Sequence, residues 1–545
     1  MTNAGPHQAV FDDQHRPITA GGFAKAGPLV FADVTKKAGL STWRNVTGSP
    51  DKRVIIEAKG SGVCLIDYDN DGWLDIYLVN GSTLDARAGH AAPPHAALFH
   101  NNHDGTFTDV TASAGVANDR WGTGCVVGDF DNNGSPDLYV TNVGPNRLYR
   151  NNRDGTFTDI AVKAGVALED ESSPGAIDHT GATFGDYDGD GNLDLFVAGY
   201  IELDLKNASE PGSKASGYDF CQYRGVKVMC GPRGLQGAGD HLFHSNGDGT
   251  FTDVGKKMGI EDPNGYYGLD ALFVDVNNDG KPDLMVANDS TPNYLYINKG
   301  NGTFKDESYE DGFALNGDGR EAANMGLAVG DYENNGHLAV ASTTFSDDYP
   351  ILFRNNGTGA FTDVSYQAGI AQSSIPFVKF GDGFLDYDND GWKDLLVAQG
   401  HDLDTIERIN PQFHYREPML LARNTSHKFV DVSSVSGDIF QQAWVGRGMA
   451  IGDIDNDGRI DAVVTTNGGP ARVLLNKTEN SGHWITLRLI GHKSNRDGIG
   501  AVVEIEIKTS RGRQWATVTT SSGYLSASDP RIHFGLGGKP YSSMR

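Results

Sequence analysis

Hydrophobic and polar residues alternate along many short runs of this chain, and the runs repeat in a fixed order between Phe31 and Asn476. In one unit, GCVVGDF reads as a strand, an acidic loop follows, and DLYVTN, RLYRN and GTFTDI read as three more strands. Period-two alternation over such short runs is typical of β-strands. The repeat therefore predicts a module of four antiparallel strands.

Three signatures, each found seven times, set the register of the repeat. They are F-x-D-V, the acidic loop D-x-D-x-D-G-x-x-D, and a Leu-rich strand that ends in Asn. Successive acidic loops are mostly 55 to 67 residues apart, which fits a four-stranded propeller blade with its turns. The F-x-D-V motifs begin at Phe31, Phe107, Phe157, Phe251, Phe304, Phe361 and Phe429, although Ile160 and Glu307 replace the valine in the third and fifth. The Leu-rich strands begin at Leu98, Leu148, Leu242, Leu295, Leu352, Leu420 and Leu474.

The two ends of the repeat series predict how the structure closes. An F-x-D-V motif at Phe31 precedes the first complete unit, and the last unit stops at Leu474 without one. Pairing these two halves completes a seventh blade. An open solenoid is the alternative, but solenoids need capping repeats rather than complementary half-repeats. We therefore expect an all-β fold, a seven-bladed β-propeller with a small C-terminal β domain.

These patterns divide the chain into three parts: an N-terminal extension (1–26), the propeller (27–479) and the C-terminal domain (480–545). In the C-terminal domain we expect strands at 484–490, 502–507 and 515–520, packed on the propeller. One interval between acidic loops is 89 residues long, and its excess lies at about 200–240. Loops of that length are often functional, so this insertion is a candidate lid or contact surface.

The acidic loops have the composition of calcium sites. Carboxylates at loop positions 1, 3, 5 and 9, with glycine at position 6, can surround a hard cation. Strands flank the loops and a bidentate Glu at position 12 is missing, which excludes an EF-hand. These loops hold 24 of the 71 acidic residues, a concentration that would repel itself without cations. We therefore expect a propeller with calcium-binding loops and about six Ca²⁺ sites.

The loops differ in the completeness of their ligand sets. Four carry four aspartates, two replace one aspartate by asparagine, and the fifth keeps Asp331, Glu333 and Asn335 but has Ala339 at position 9, so it should be empty or weak. The expected ligands are Asp67, Asp69, Asp71 and Asp75; Asp129, Asp131, Asn133 and Asp137; Asp186, Asp188, Asp190 and Asp194; Asp275, Asn277, Asp279 and Asp283; Asp386, Asp388, Asp390 and Asp394; and Asp453, Asp455, Asp457 and Asp461.

Charge and hydropathy narrow the range of partners. A formal charge of −26 argues against a nucleic-acid partner, because phosphate binding needs clustered Lys and Arg. No run of 18 apolar residues occurs, so we expect no membrane span. The N-terminus shows no signal-peptide pattern, so we expect either a cytoplasmic protein or one whose leader was removed. The expected partner is a protein or small-molecule ligand at a propeller face.

Four cysteines are too few for a disulfide scaffold at this length. Cys221 and Cys230 lie close together in the insertion and either form a local disulfide or stay free. Cys64 and Cys125 fall inside core strands, where we expect them to be free, buried and inert.

Polar residues at the start of the first strands form a candidate ligand or active site. If each acidic loop ends the innermost strand of its blade, the residues just before that strand surround the opposite mouth of the central channel. Most positions there are glycine, as close packing at the axis requires. The exceptions most suited to acid–base chemistry are Asp178, His179, Asp270, Lys379 and Arg447. The competing interpretation is a solvated rim with no catalytic role.

Several stretches resemble a known family. DFDNNGSPDLYV, DYDGDGNLDLFV and LYRNNRDGTFTDI resemble the FG-GAP/VCBS repeats of integrin-α-type propellers. HWITLRLIGHKSNRDGIGAVVEIEI and SSGYLSASDPRIHFGLG look like the ASPIC/UnbV domain of the cartilage acidic protein family. The resemblance implies calcium-binding, mostly exported proteins used in adhesion or recognition, with relatives encoded among enediyne biosynthesis genes. Family members usually continue past FGLG into another strand, so the last domain looks truncated here.

Two functional hypotheses follow. The first is a recognition or adhesion module that binds a ligand at a propeller face. The second is a calcium-dependent enzyme of a natural-product pathway, a cyclase, lyase or isomerase with its site at the channel mouth. No G-x-S-x-G, P-loop or H-E-x-x-H motif supports hydrolase, nucleotide or zinc-protease chemistry. The missing motifs favour the binding module.

Overall fold

A computed structural model describes residues 10–11, 17–18, 29–168, 176–204, 221–260, 262–479, 481–507 and 512–538. Within these residues the regular structure is almost entirely β-strand, and the α-helices are single turns of four residues. None of these helices is long and apolar enough to cross a membrane. The all-β prediction is confirmed. The expected N-terminal extension and residues 205–220 of the insertion lie largely outside the described residues.

The strands form seven four-stranded antiparallel units, preceded by a small hairpin. In chain order the strands are β1 (Val10–Phe11), β2 (Pro17–Ile18), β3 (Phe31–Asp33), β4 (Val63–Ile66), β5 (Asp75–Leu78), β6 (Ala97–Asn101), β7 (Phe107–Asp109), β8 (Trp121–Gly128), β9 (Asp137–Val143), β10 (Arg147–Asn151), β11 (Phe157–Asp159), β12 (Ala176–Gly185), β13 (Asp194–Leu203), β14 (Gln222–Tyr223), β15 (Val226–Lys227), β16 (His241–Ser245), β17 (Phe251–Asp253), β18 (Gly268–Val274), β19 (Asp283–Asn288), β20 (Tyr294–Asn298), β21 (Phe304–Asp306), β22 (Leu327–Gly330), β23 (Ala339–Ser342), β24 (Ile351–Asn355), β25 (Phe361–Asp363), β26 (Lys379–Leu385), β27 (Asp394–Gln399), β28 (Leu420–Asn424), β29 (Phe429–Asp431), β30 (Gly446–Gly452), β31 (Asp461–Thr466), β32 (Arg472–Asn476), β33 (His483–Leu487), β34 (Val502–Ile507), β35 (Gly512–Thr517) and β36 (Ile532–Gly537).

Short helices explain the Ala-Gly pairs that often follow F-x-D-V. Five helices start after the fourth strand of a unit and end at a glycine with positive φ, such as Gly115 (φ 76°) and Gly165 (φ 82°). Glycine adopts this left-handed conformation at no steric cost, and it ends the helix after one turn. The helices are α1 (Thr35–Ala38), α2 (Leu84–Arg87), α3 (Thr111–Ala114), α4 (Ala161–Ala164), α5 (Gly255–Met258), α6 (Ser365–Ala368) and α7 (Ile406–Ile409), and short 3₁₀ turns occupy Leu40–Thr42, Ile55–Glu57, Ala371–Ser373, Ser433–Val435 and Asp438–Gln441.

The units are arranged in a closed ring. The first strand of each unit contacts the first strand of the next, from β4 through β8, β12, β18, β22 and β26 to β30, and β30 contacts β4 again. Units two and three also share one continuous sheet, because β9 pairs with β12. Apolar clusters fill the spaces between neighbouring sheets, so each unit buries its faces against two others. The fold is a β-propeller, as expected.

The last unit takes its outer strand from the N-terminal part of the chain. β3 pairs antiparallel with β32, and Phe31 lies opposite Asn476 while Asp33 lies opposite Leu474. The predicted pairing of the two orphan half-repeats is confirmed. Because Phe31 is fully buried against Phe440, this closure also completes an apolar cluster.

The C-terminal domain packs on the ring and sends one segment down its axis. β33 pairs with β36, and β34 pairs with β35. The chain then leaves β35 at Thr517, so the strand expected at 515–520 ends early, and residues 519–529 enter the central channel. We call residues 519–529 the axial segment. Sequence reasoning placed this domain on the propeller but missed the axial segment.

The axial segment fills the channel that seven first strands surround. It makes hydrogen bonds to first strands of six units, for example from Leu65 N to Ala527 O (2.9 Å) and from Gly523 N to Leu327 O (2.9 Å). Gly62 lies so close to this segment that a Cβ atom there would be 1.8 Å from the carbonyl oxygen of Leu525. Gly62 therefore makes room for the axial segment, whereas Gly181, Gly381 and Gly448 make room first for the neighbouring unit.

All four cysteines form disulfides. Cys64 on β4 is bonded to Cys125 on β8, with a Cα–Cα distance of 6.1 Å, and Cys221 is bonded to Cys230 inside the insertion. The prediction that Cys64 and Cys125 are free is therefore wrong. Sequence reasoning judged each cysteine on its own strand, whereas the ring brings the first strands of neighbouring units side by side. The first disulfide thus crosslinks two units.

Candidate functional site

The acidic loops share one set of hydrogen bonds, so they are equivalent structures. In all seven, the aspartate at position 1 accepts a hydrogen bond from the glycine N–H at position 6, over 2.7 to 3.2 Å. In the six loops with an aspartate at position 9, that side chain accepts from a backbone N–H at the end of the third strand, as Asp75 does from Asn101 (2.8 Å). The backbone therefore holds the carboxylates in place.

The loop carboxylates converge closely enough to share a cation. Ligand oxygens of Asp67, Asp69 and Asp71 lie within 4.8 Å of one another. Two similar clusters consist of Asp129, Asp131 and Asp137 in the second loop and of Asp186, Asp188 and Asp190 in the third. Five loops also bury one carboxylate oxygen that accepts no hydrogen bond in the described structure. Burying a carboxylate oxygen without a partner costs free energy unless a cation binds it. These oxygens are Oδ1 of Asp67, Asp131, Asp186, Asp388 and Asp455.

Burial also raises the pKa of carboxyl groups in these loops. Burial, helped by the neighbouring loop carboxylates, raises the pKa of Asp75 to about 8 and that of Asp194 to about 9. Carboxyls with such pKa values would hold protons at neutral pH, and a divalent cation would favour the ionised form instead. The donor set, all oxygen, suits calcium.

The loops are not equal in their surroundings. The fifth loop has Ala339 in place of the last carboxylate, and β23 begins there. In the fourth and sixth loops, side-chain cations already contact carboxylates, with Lys281 Nζ 2.7 Å from Asp279 and an Arg423 nitrogen 2.7 Å from Asp388. In the seventh loop Lys477 Nζ lies 3.0 Å from Asp455, and in the first an Arg488 nitrogen lies 3.6 Å from Asp67. Among the described residues, the second and third loops therefore offer the most open ligand sets.

Two histidines next to the loops were missed by sequence reasoning. His100 Nδ1 lies 3.2 Å from an Asp75 oxygen, and His244 Nδ1 lies 3.2 Å from an Asp194 oxygen. Each forms a second cluster with its loop, consisting of two aspartates and one histidine. The available signal was the third signature itself, which reads Leu-Phe-His only in the first and third units.

Asparagines tie each acidic loop to its neighbours. The residue at loop position 4 has positive φ in every loop. In five loops this residue is an Asn, and its side-chain amide donates a hydrogen bond to the carbonyl of the glycine in the next loop. The bond from Asn456 to Gly72 joins the last loop to the first. The Asn that ends the third strand donates to the preceding loop in six units, as Asn424 does to Tyr332 O (2.7 Å). The loop face is therefore a continuous hydrogen-bonded ring.

The C-terminal domain binds this ring through the same asparagines. Arg496 N donates to Asn132 Oδ1 (2.8 Å), and Asp129 N donates to Asp497 Oδ2 (2.8 Å). His533 and Arg531 contact the corresponding oxygens of Asn389 and Asn456. The conspicuous Ser-Asn-Arg-Asp-Gly-Ile-Gly string thus docks the domain on the second acidic loop.

The structure buries all five residues of the acid–base hypothesis, on four different first strands. Arg447 donates to four backbone carbonyls and stacks on Phe380, 4.0 Å from the ring centroid. Lys379 donates to three backbone carbonyls. Because their donors are used by backbone carbonyls, these two side chains have a structural role inside the propeller.

The other three residues have separate surroundings. Asp270 accepts from the backbone of Leu327 (3.0 Å) and so links unit four to unit five. Burial lowers the pKa of His179 to about 3, so its imidazole is neutral. Asp178 forms an ion pair with Lys59. Register shifts on both sides of His179 interrupt the regular alternation of β12, and similar shifts occur in β8, β18, β26 and β30. The side chains near these shifts therefore do not follow strict alternation.

A cavity of about 390 Å³ lies on the face opposite the acidic loops. We call it the chamber. Tyr524, from the axial segment, contributes to its lining, together with Lys59, Tyr200 and Asp289 from the propeller. The described part of the insertion adds Tyr223, Val228 and Met229, among others. The lid hypothesis placed the insertion on this face, and the described part of it lies there.

Contacts at several points hold the insertion over the chamber. Tyr223 Oη donates to Asp347 (2.9 Å), and Arg233 pairs with Glu321 (2.6 Å). Tyr267 donates to Leu235 O (3.0 Å). Val228 and Met229 pack in an apolar cluster with Leu403 and Phe413, among others. The insertion thus bridges several units around the channel mouth.

Comparison with known proteins agrees with this architecture. The family model described as FG-GAP-like repeat matches residues 67–140, 129–197, 230–286, 275–342 and 386–464, and that described as ASPIC and UnbV matches 491–542. Human cartilage acidic protein 1 is 24% identical over 508 residues, covering 89% of this chain and 59% of that protein. The Xenopus tropicalis protein of the same name is 25% identical over 307 residues, covering 55% of this chain and 44% of that protein.

Among solved structures, an N-acetylglucosamine-recognising lectin of Agrocybe aegerita is similar, with a TM-score of 0.38 and 16% identity over 74% of this chain and 85% of the lectin. The chain spans less than two thirds of the curated relatives it matches. The repeat matches cover more than half of the chain, and the ASPIC and UnbV match covers most of the C-terminal domain. The chain therefore belongs to the family of proteins built from FG-GAP-like repeats followed by an ASPIC and UnbV domain.

Proposed function

We propose that this chain is a calcium-stabilised recognition module that binds a ligand in the chamber. The chamber is the observation that carries the proposal. It is concave, lined mainly by apolar and aromatic side chains, and contains a few polar groups, which are the usual features of a ligand site. The structural roles of Arg447 and Lys379 favour binding over acid–base catalysis.

Calcium in the acidic loops is the second part of the proposal. The converging carboxylates, the buried oxygens without donors and the all-oxygen donor set support it. Bound calcium would supply charge compensation and rigidity to the loop face. Loops two and three should bind first, because no Lys or Arg among the described residues pairs with their carboxylates.

An enzymatic role is the alternative, and one observation favours it. Lys59 and Asp178 form a buried ion pair, and Lys59 lines the chamber. A desolvated lysine beside a carboxylate can serve acid–base or covalent chemistry. A turnover that disappears in Lys59→Met while ligand binding persists would support this alternative over the binding module.

Ligand binding can be tested on the full chain by fragment screening with ligand-observed NMR. Ala323 lines the chamber, so Ala323→Trp should fill it and abolish fragment binding. Ala92→Trp, at an exposed position, is the matched control and should leave binding unchanged. Fragments that bind the two variants equally, or no fragment binding to the wild-type chain, would contradict the chamber proposal.

Metal binding needs a separate measurement. Inductively coupled plasma mass spectrometry on dialysed protein should find several calcium ions per chain. Asp188→Ala should reduce that number, and Glu333→Ala should not, because the fifth loop lacks a carboxylate at position 9. A calcium content near zero would overturn this part of the proposal.

A further inference from the structure

We propose that the chamber recognises a neutral, largely apolar molecule through a carbonyl oxygen, which accepts hydrogen bonds from Tyr524 and Lys59. The inference rests on the proposed function, since it names the class of ligand for the same chamber. It follows from the apolar lining, from the donors that remain available, and from the arrangement of charges.

The lining determines the body of the ligand. Aliphatic side chains of Ile55, Leu269, Met325 and Leu403 face the chamber, and the insertion adds Met229. Tyr200, Phe345 and Phe380 supply aromatic surface. Burying apolar area against such a lining is favourable by roughly 25 cal/mol per Å². A strongly hydrated ligand, such as a sugar, would lose more hydrogen bonds to water than this lining can replace.

The available donors determine the polar group of the ligand. Tyr524 is fully buried, and its hydroxyl has no hydrogen-bond partner among the described residues. Lys59 is 5% exposed and contacts Asp178, which leaves protons of the ammonium uncommitted. Both side chains line the chamber and pack against Tyr200. Two uncommitted donors among the lining side chains match an oxygen acceptor.

The charges around the chamber disfavour an anionic ligand. Asp289 and Asp402 line the chamber, and Asp178 already balances the charge of Lys59. Asp289 accepts from Tyr200 Oη (2.7 Å) and from Ser290 Oγ (2.8 Å), which holds its carboxylate in place. A carboxylate or phosphate ligand would meet these two acids in a poorly solvated space, where like charges repel strongly.

A cationic ligand is disfavoured for a different reason. Aromatic faces attract cations, but protein cations already occupy two of them. Lys59 Nζ lies 4.8 Å from the Tyr200 ring centroid, and the Arg447 guanidinium lies 4.0 Å from that of Phe380. Both groups repel a ligand cation at these two faces. The attraction of Asp289 for such a cation is reduced, because its carboxylate already accepts hydrogen bonds from Tyr200 and Ser290. A neutral molecule with a carbonyl oxygen is the class that remains.

Three probes of similar shape test this inference: benzophenone (neutral ketone), diphenylmethane (the same body without the oxygen) and 4-benzoylbenzoate (the ketone with a carboxylate). Equilibrium dialysis with the full chain should show benzophenone binding about tenfold more tightly than diphenylmethane, and 4-benzoylbenzoate binding most weakly. Ala323→Trp should abolish binding of all three.

The donors are tested by variants that preserve shape. Tyr524→Phe should remove most of the difference between benzophenone and diphenylmethane without weakening diphenylmethane. Tyr366→Phe, at an exposed position, is the matched control and should change nothing. Lys59→Met is a second variant in case Tyr524→Phe does not fold, and it should also reduce the ketone preference.

The possible outcomes separate the two proposals. Equal binding of the ketone and the hydrocarbon, both lost in Ala323→Trp, would overturn the carbonyl inference and leave the chamber as a ligand site. Tighter binding of 4-benzoylbenzoate than of benzophenone would overturn the neutrality argument. Benzophenone binding that survives Ala323→Trp would place the ligand elsewhere and overturn both proposals.

Discussion

The two faces of the propeller differ in how far their residues repeat from unit to unit. On the loop face, a repeated motif contributes the same carboxylates, the same left-handed turn and mostly the same asparagine bridges around the ring. On the chamber face, the lining includes a single insertion, one C-terminal segment and residues that differ from unit to unit. Repetition on the first face stabilises the ring, and variation on the second face creates a place for a specific ligand.

We therefore expect the loop face to contribute most of the stability of the fold and the chamber face to bind the ligand. Changes to loop-face residues and to the contacts between units should lower the free energy of unfolding. Changes to chamber residues should alter binding with little effect on stability.

The largest effect should come from opening the ring. Deleting residues 1–40 removes β3 and α1, which exposes the edge of β32 and the apolar surface that Phe31 covers. We expect loss of the cooperative thermal transition or oligomers in size-exclusion chromatography. Deleting residues 1–28 is the control that keeps β3. A monomer with the wild-type melting temperature after the longer deletion would show that another contact closes the ring.

The second effect concerns calcium. Each cation bound at 100 times its dissociation constant adds about 2.7 kcal/mol to the free energy of unfolding. EGTA should therefore lower the melting temperature by ten degrees or more, and added Ca²⁺ should restore it. Ala323→Trp should retain the same response to EGTA, because the chamber lies on the other face. An unchanged melting temperature in EGTA would mean that the loop face is stable without a metal.

The two disulfides give a matched comparison of the faces. Cys64→Ala with Cys125→Ala removes a crosslink between two units and should reduce the free energy of unfolding by about 2–4 kcal/mol. Cys221→Ala with Cys230→Ala alters only the insertion and should weaken ligand binding more than stability. Denaturant titration and dialysis measure the two quantities. Equal losses of stability in both double variants would contradict the separation.

An asparagine bridge should have a smaller effect. Asn424→Ala leaves the buried Tyr332 carbonyl without its 2.7 Å hydrogen bond, at a cost of about 1–3 kcal/mol. Ser245→Ala changes the equivalent position of unit three, where a serine replaces the asparagine and its backbone N–H still reaches Asp194. The urea midpoint should fall for the first variant and change less for the second. Similar midpoints would show that the bridges add little.

The smallest effect should be a pH dependence at the axis. Burial raises the pKa of Asp382 well above its usual range, and the charge of Asp270 raises it further. A carboxyl whose folded pKa is raised favours folding at low pH and loses that contribution as pH rises from the unfolded pKa of 3.8 towards the folded one. Asp382→Asn should therefore raise the melting temperature by a few degrees at pH 8 and less at pH 5. A larger gain at pH 5 would reverse the sign of this argument.

The repeated parts of the molecule could be predicted from sequence because the same short motifs recur in each unit. The acidic loop, the F-x-D-V strand and the Leu-rich strand ending in Asn fall where the spacing predicts. The pairing of Phe31 with Asn476 followed from counting half-repeats. The roles of the asparagines and of His100 and His244 were missed, since contacts between a side chain and another segment have no local signature.

The parts that occur once could not be predicted in the same way. The Cys64–Cys125 disulfide joins two strands whose proximity exists only in the ring. The bulges that reorient Asp178, Lys379 and Arg447 break the alternation on which the channel-mouth hypothesis relied. None of the five acid–base candidates lines the chamber, and its lining instead includes Lys59 and Tyr524.

The sequence by itself determined the propeller, the acidic loops and the closure of the ring, because these depend on hydrogen bonds and turns within one repeat and on its register. The tertiary structure alone decided what fills the axis and what forms the chamber. Those features depend on contacts between segments far apart in the chain, such as Tyr524 and Tyr200, whose packing no local pattern records.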